Sequence, residues 1–197
     1  MTNSKSKTPF DLKAFLKKQW SNIVFFGVVL LFIIPSSRMV IQSQLASLFS
    51  STPTLIEENE REQLSNYNLV LKDLQGQTVN FNQSQNKPIL INFWATWCAP
   101  CIAEMPDLNE LYQTFKNDVD FYFVSQENPE VLQKFLKSKN YDIPVFIQQT
   151  KLPKPLENNS IPSTYLINPQ GEILAKAAGA AKWNSDEVHG LIHKMIE

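Results

Sequence analysis

One stretch in the middle of the chain constrains its fold more than any other. Ile89-Leu90-Ile91-Asn92-Phe93-Trp94 is an apolar run with one polar position, and Cys98-Ala99-Pro100-Cys101 follows after three residues. A short run of β-branched and aromatic residues, opened by Lys87-Pro88, reads as a central strand buried on both faces. Beyond the cysteines, Leu108, Leu111, Tyr112 and Phe115 recur at helical spacing. The cysteines therefore fall where a buried strand hands over to a helix. A strand covered on both faces needs neighbouring strands and helical layers, so the class is α/β.

The flanking segments fill in that sheet. Asn66–Asp73, with Tyr67, Leu69 and Leu71 alternating, and Thr78–Phe81 form a hairpin about Gln75-Gly76. Val119–Val124 is a second buried strand. Asn128-Pro129-Glu130 starts a helix by cap, fixed φ and acidic first turn, with Val131, Leu132, Phe135 and Leu136 as its inner face. Val145–Ile147, Ser163–Ile167 and Glu172–Ala177 are strands, the last two joined by Pro169-Gln170-Gly171, and Lys151–Asn159 is a loop. The last helix starts near Asn184 and turns Val188, Leu191, Ile192 and Met195 inward. Strands alternating with helices imply parallel pairing and the hairpins imply antiparallel edges. The expectation is a mixed central sheet with helices on both faces.

Two cysteines are the whole complement of this chain. Two thiolates do not complete a structural zinc site, which uses four ligands. A C-x-x-C pair can instead close a small disulfide and reopen it. At a strand-to-helix junction, free N–H groups and the helix dipole favour a Cys98 thiolate, which both attacks and leaves more readily. Cys101, one turn on, can reach back to resolve a mixed disulfide. His189 and His193 stand four apart on the last helix, but with no third ligand evident they read as the polar edge of an amphipathic helix.

Charge is unevenly spread. Residues 1–40 carry five Lys and one Arg against Asp11. Residues 60–197 carry twelve basic and sixteen acidic residues, hence −4, which gives no electrostatic reason to expect nucleic-acid binding. Ile23 to Ile34 is a twelve-residue apolar run, and extended from Trp20 to Ile41 it reaches 22 residues. A membrane span takes roughly 20 residues. Lys13, Lys17 and Lys18 precede the run, which by the positive-inside bias puts the N-terminus in the cytoplasm. The organisation expected is a cytoplasmic segment 1–19, a transmembrane anchor 20–41, a linker 42–63 rich in Ser, Gln, Thr and Glu, and a domain 64–197. A cleaved signal peptide and a buried helix are the competing readings of the apolar run.

Phe93-Trp94-Ala95-Thr96-Trp97-Cys98-Ala99-Pro100-Cys101 resembles the active-site segment of the thioredoxin superfamily, and Ile161-Pro162-Ser163-Thr164 resembles its cis-proline segment. The resemblance covers roughly residues 64–197. It implies a thioredoxin-like fold with an N-terminal β-hairpin. It also implies that Pro162 is cis and faces the cysteines, leaving the backbone of Ile161 to pair with an extended substrate. Thioredoxins carry a buried Asp six residues before the first cysteine, where this chain has Asn92. Cys101-Ile102-Ala103-Glu104-Met105-Pro106 instead resembles the C-x-x-E-x-P extension of the membrane-anchored TlpA/ResA branch. The 61 positions between Cys101 and Pro162 leave room for that branch's central strand–helix insert.

The resemblance implies an extracytoplasmic thiol–disulfide oxidoreductase acting on protein disulfides, in some members during cytochrome c maturation. Such a protein needs no cofactor beyond its Cys98–Cys101 disulfide. Its electrons would come from a DsbD- or CcdA-type membrane donor. It implies Cys98 and Cys101 as the reacting pair, with Glu104 tuning or relaying their protons. Trp97, Pro100, Ile161 and Pro162 would form the docking surface. Nothing in Ala99-Pro100 fixes the direction of exchange, so an oxidase or isomerase stays open beside the reductase. A copper-carrying domain of the same fold is a further alternative, although it needs a histidine that the Ile161-Pro162 region lacks.

Overall fold

A computed structural model describes residues 12–33, 41–46, 50–157 and 160–197. It separates into two units, Met1–Ile41 and Gln42–Glu197.

In the first unit α1 runs over Leu12–Ile33. Lys13, Lys17, Lys18, Gln19, Ser21 and Asn22 lie in its first half, so its apolar residues cluster in the second. Among the described residues no helix is long and apolar enough to cross a membrane. The expected span 20–41 includes residues 34–40, which lie outside the described residues.

The second unit is built on an eight-stranded mixed sheet in the order β1-β8-β7-β4-β5-β6-β2-β3. The strands are β1 (Thr54–Leu55), β2 (Val70–Asp73), β3 (Thr78–Asn80), β4 (Ile89–Phe93), β5 (Asp120–Ser125), β6 (Val145–Gln148), β7 (Ser163–Ile167) and β8 (Ile173–Ala178). The helices packed on it are α2 (Ala99–Phe115), α3 (Pro129–Lys139) and α4 (Asp186–Ile196). The expected hairpin is present as β2 and β3, with Gly76 at φ 85° and Asp73 Oδ1 accepting from the N–H groups of Gln75 and Gln77. Between α2 and β7 the chain forms β5, α3 and β6.

β4 is fully buried, parallel to β5 and antiparallel to β7. Its side chains alternate as a strand must. Ile89, Ile91 and Phe93 enter one apolar cluster, while Leu90 enters the other, which also holds Cys98 and Cys101. By the same period, Asn92 points toward the cysteine side.

The mixed sheet with its helical cover is present as expected, and two details differ. Helices were expected on both faces, yet α2, α3 and α4 all feed the cluster that contains the cysteines. The physical reason is topological: β4, β5 and β6 are consecutive parallel neighbours, and two right-handed crossovers in one direction put both helices on one face. The other cluster is closed by Leu64, Leu69, Leu156 and Phe81, the last on a 3-10 turn over Phe81–Ser84. Within α3, Val131 is 46% exposed instead of inward, because the Asn128 cap phases the helix so that Leu132 is the buried residue.

The stretch read as a linker is not free chain throughout. β1 pairs antiparallel with β8, Gln63 bridges Glu172, and Leu64 N–H donates to Gly171 O. Gly171 sits at φ +86°, and a Cβ there would lie 2.9 Å from the Leu64 carbonyl oxygen, so only glycine fits this turn.

Candidate active site

β4 gives way to the site in a few residues. Its pairing with β5 extends one step past the strand, through Trp94 N–H to Val124 O at 3.0 Å. Ala95 to Cys98 then turns sharply, closed by Cys98 N–H to Ala95 O at 3.2 Å. Cys98 is the N-cap of α2, with extended backbone, and its Sγ accepts from Cys101 N–H at 3.2 Å. Pro100 lies in the first turn, where a missing N–H loses nothing. Cys98 and Cys101 are joined in a disulfide with a Cα–Cα distance of 5.2 Å. Cys98 is 5% exposed and Cys101 is fully buried, so Cys98 is the more accessible of the two.

Glu104, one turn after Cys101, is 2% exposed. Its Oε1 accepts from Asn92 Nδ2 at 2.8 Å and from Thr164 Oγ1 at 3.5 Å, and its Oε2 accepts from Ala181 N–H at 3.2 Å. Asn92 Nδ2 also donates to Thr164 Oγ1 at 2.7 Å. These contacts follow from register: Asn92 and Thr164 are opposed in the β4–β7 pair, and α2 lies across that face. Burial raises the Glu104 carboxyl to about 8, against the lowering pull of its three hydrogen-bond donors. Asn92 Oδ1 has no partner among the described residues, so the cluster holds one spare acceptor.

A second carboxyl meets the turn from the loop that follows the neighbouring strand β5. Glu127 Oε2 accepts from Thr96 N–H at 2.6 Å and its Oε1 from Thr96 Oγ1 at 2.8 Å. Glu127 N–H donates to Ser125 Oγ at the end of β5, and Asn128 caps α3.

The Ile161–Pro162 peptide is cis, as expected, and so is Lys154–Pro155, which the sequence did not suggest. Phe93 and Ser163 are paired, so the segments just beyond them, Trp94–Cys98 and Ile161–Pro162, emerge at the same end of the sheet. Ile161 packs on the cluster that contains both cysteines. A cavity of about 600 Å³ lies there, lined by Trp97, Ile161, Leu152, Glu127 and Gln148 among others. Trp97 is 65% exposed, while Trp94 is buried and packs against Phe135. The structure thus brings Trp97 and Ile161 to one cavity. Pro162 is buried, and Pro100 stays half-buried on α2 outside the cavity lining. His189 and His193 both set their rings edge-on to Phe115.

Sequence reasoning missed Thr164, the Ala181 N–H and the Thr96–Glu127 pair. Thr164 was within reach, since period-two alternation from Ile161-Pro162 and from Asn92 puts both polar groups on one face. Glu127 had no local signal, because its partner is 31 residues away.

Comparisons with known proteins agree with this geometry. The AhpC/TSA family matches residues 63–176. A thiol–disulfide oxidoreductase ResA of Bacillus cereus is 30% identical over 131 residues, 65% of this chain and 75% of that protein. ResA of Halalkalibacterium halodurans is 32% identical over 133 residues, 66% of this chain and 70% of that protein. Among solved structures, a DsbF homologue from Corynebacterium diphtheriae matches with TM-score 0.58 at 18% identity, over 73% of this chain and 94% of that one. StoA from Bacillus subtilis matches with TM-score 0.51 at 21% identity, over 66% and 98%. At these identities the structures establish the fold, which is thioredoxin-like. The family match and the ResA relatives go further, and the chain belongs to the AhpC/TSA family as a thiol–disulfide oxidoreductase of the ResA kind.

Proposed function

We propose that the chain is a membrane-anchored reductase of protein disulfides outside the cytoplasm. The observation that carries the chemistry is the division of labour in the pair: Cys98 caps α2 and keeps 5% exposure, and Cys101 is fully buried behind it. In the reduced protein, Cys98 thiolate attacks one sulfur of a substrate disulfide. A mixed disulfide forms and one substrate thiolate leaves. Cys101 thiolate then attacks Cys98 Sγ, expels the second substrate thiolate and leaves the Cys98–Cys101 disulfide. Two electrons pass to the substrate, whose thiolates take up two protons.

Cys101 must lose its proton to act. Glu104 is the buried base on its own helix, and Asn92, Thr164 and Ala181 hold that carboxyl in place. A protonated Glu104 needs an acceptor, and the spare Asn92 Oδ1 supplies one after rotation of the amide. Trp97 and Ile161 receive the substrate segment at the cavity, and Pro162 and Pro100 shape its approach.

The anchor is the apolar run within residues 20–41, with Lys13, Lys17 and Lys18 on its cytoplasmic side. An oxidising compartment keeps the pair oxidised unless electrons are brought to it, so a donor is needed, and the TlpA/ResA resemblance suggests one of the DsbD or CcdA type. Apocytochrome c is the substrate class suggested by the TlpA/ResA resemblance.

The test is reduction of insulin by the reduced full-length chain, with Cys98→Ser as the variant, together with the reduction potential against glutathione. The proposal expects insulin reduction that falls to background in Cys98→Ser. A potential of about −120 mV, the value of a strong oxidase, would overturn the direction. Capture of mixed disulfides with Cys101→Ala in cells names the substrate.

A further inference from the structure

We propose that Glu127 is a positioning residue for the docking surface, holding Trp97 in place through Thr96. The proposal rests on the reading that Cys98 exchanges disulfides with a protein docked beside Trp97.

The turn between β4 and α2 has fixed ends and an outlying middle. Ala95 and Cys98 are buried, Ala95 in the core and Cys98 as the helix cap. Thr96 and Trp97 project from between them, and Trp97 is exposed although it is the largest apolar side chain of the segment. The sheet does not hold this middle, because β4–β5 pairing ends at Trp94 N–H to Val124 O. The bond from Cys98 N–H to Ala95 O closes the turn but does not orient its tip.

Glu127 supplies the missing restraint. Both its oxygens are spent on Thr96, at 2.6 and 2.8 Å, one on the backbone and one on the side chain. Two short charge-assisted bonds to one residue fix position and orientation together. No ion pair among the described residues involves Glu127, so the carboxylate is not drawn elsewhere. Its own backbone is tied to the end of β5 through Ser125 Oγ, and the next residue caps α3. The tip is therefore pinned, through the loop after β5, to the end of the neighbouring strand. Glu127, Trp97 and Ile161 all line the same cavity, so the pin sits directly behind the surface a substrate meets.

The chemistry at Cys98 needs the helix cap, which Glu127 does not touch. Docking of a large partner needs the tip. The two are separable with a protein disulfide, insulin, and a small one, 5,5′-dithiobis(2-nitrobenzoate), both offered to the reduced full-length chain. Glu127→Gln keeps the size but turns an amide donor toward Thr96. The expected result is a KM for insulin raised about tenfold with kcat within about threefold, while the small-disulfide rate falls by far less than the insulin kcat/KM. Glu130→Gln, an exposed acid three positions on, leaves both substrates unaffected. Insulin KM within about twofold of the unsubstituted chain overturns the proposal, as does an equal fall for both substrates. If Glu127→Gln does not fold, Thr96→Val removes the hydroxyl bond alone and must raise the insulin KM by about threefold; an unchanged KM there overturns the proposal too. An unsubstituted chain that reduces neither substrate refutes the oxidoreductase reading itself.

Discussion

Glu104 and Glu127 serve the same short segment around the cysteines, and their surroundings set them apart. Glu104 is closed off among Asn92, Thr164 and the Ala181 N–H, and burial raises it to about 8. Glu127 stands half-buried at the cavity wall with two donors from one turn residue. Desolvation makes the first a holder of protons, and paired donors make the second a fixed post. The difference teaches that the inner carboxyl belongs to the chemistry of the pair and to the stability of the fold. The outer one belongs to what the pair can meet.

Substitutions break that comparison in a graded way. Glu104→Ala takes the acceptor from Asn92 Nδ2 and from the Ala181 N–H, and leaves a hole in the core. A loss of about 3 kcal/mol or more is expected in urea unfolding of the oxidised chain, since each stranded buried donor costs about 1–3 kcal/mol.

Glu104→Gln keeps most of the packing and removes only the titration. The folded carboxyl binds its proton more tightly than the unfolded one, so its contribution is fully present below the unfolded value and is lost as pH rises toward about 8. Relative to the Gln variant, the unsubstituted chain should lose stability between about pH 5 and 8, by at most about 1.4 kcal/mol per pH unit. Parallel stability curves for the two proteins would contradict this.

Thr164→Val comes next. It removes one acceptor from Asn92 and one donor from Glu104, and should cost about 1–2 kcal/mol. Smallest is Glu127→Gln, whose site is open to water that can replace a lost bond; its unfolding free energy should change by about 1 kcal/mol or less. If the outer carboxyl proves as costly to stability as the inner one, the two do not differ as described.

Legibility in the sequence followed the range of the interactions. The β4 run, the Cys98 cap position and the Asn128-Pro129 helix start are local patterns, and each was readable. Gly171 was readable as a turn, though not the reason it must be glycine, which is the backbone of Leu64 pressed against it. β1 was invisible because Thr54 and Leu55 lie in a polar stretch and gain strand geometry only by pairing with β8. The placing of all three helices on one face needed the strand order as well as the strand list. Within the site, Asn92 and Glu104 stood out singly as a departure and a motif. Their contact arises because β4 alternation and α2 packing aim both at the same space. Thr96–Glu127 joins two loops and had no sequence signal at all.

The central claim is that Glu104 governs the proton chemistry of the cysteine pair. The most direct test is the rate of Cys98 alkylation against pH in the reduced full-length chain and in Glu104→Gln. Glu104→Gln is expected to shift the pH profile of Cys98 alkylation, because the variant lacks the buried carboxyl whose ionisation places a charge beside the pair. Two superimposable profiles would contradict it.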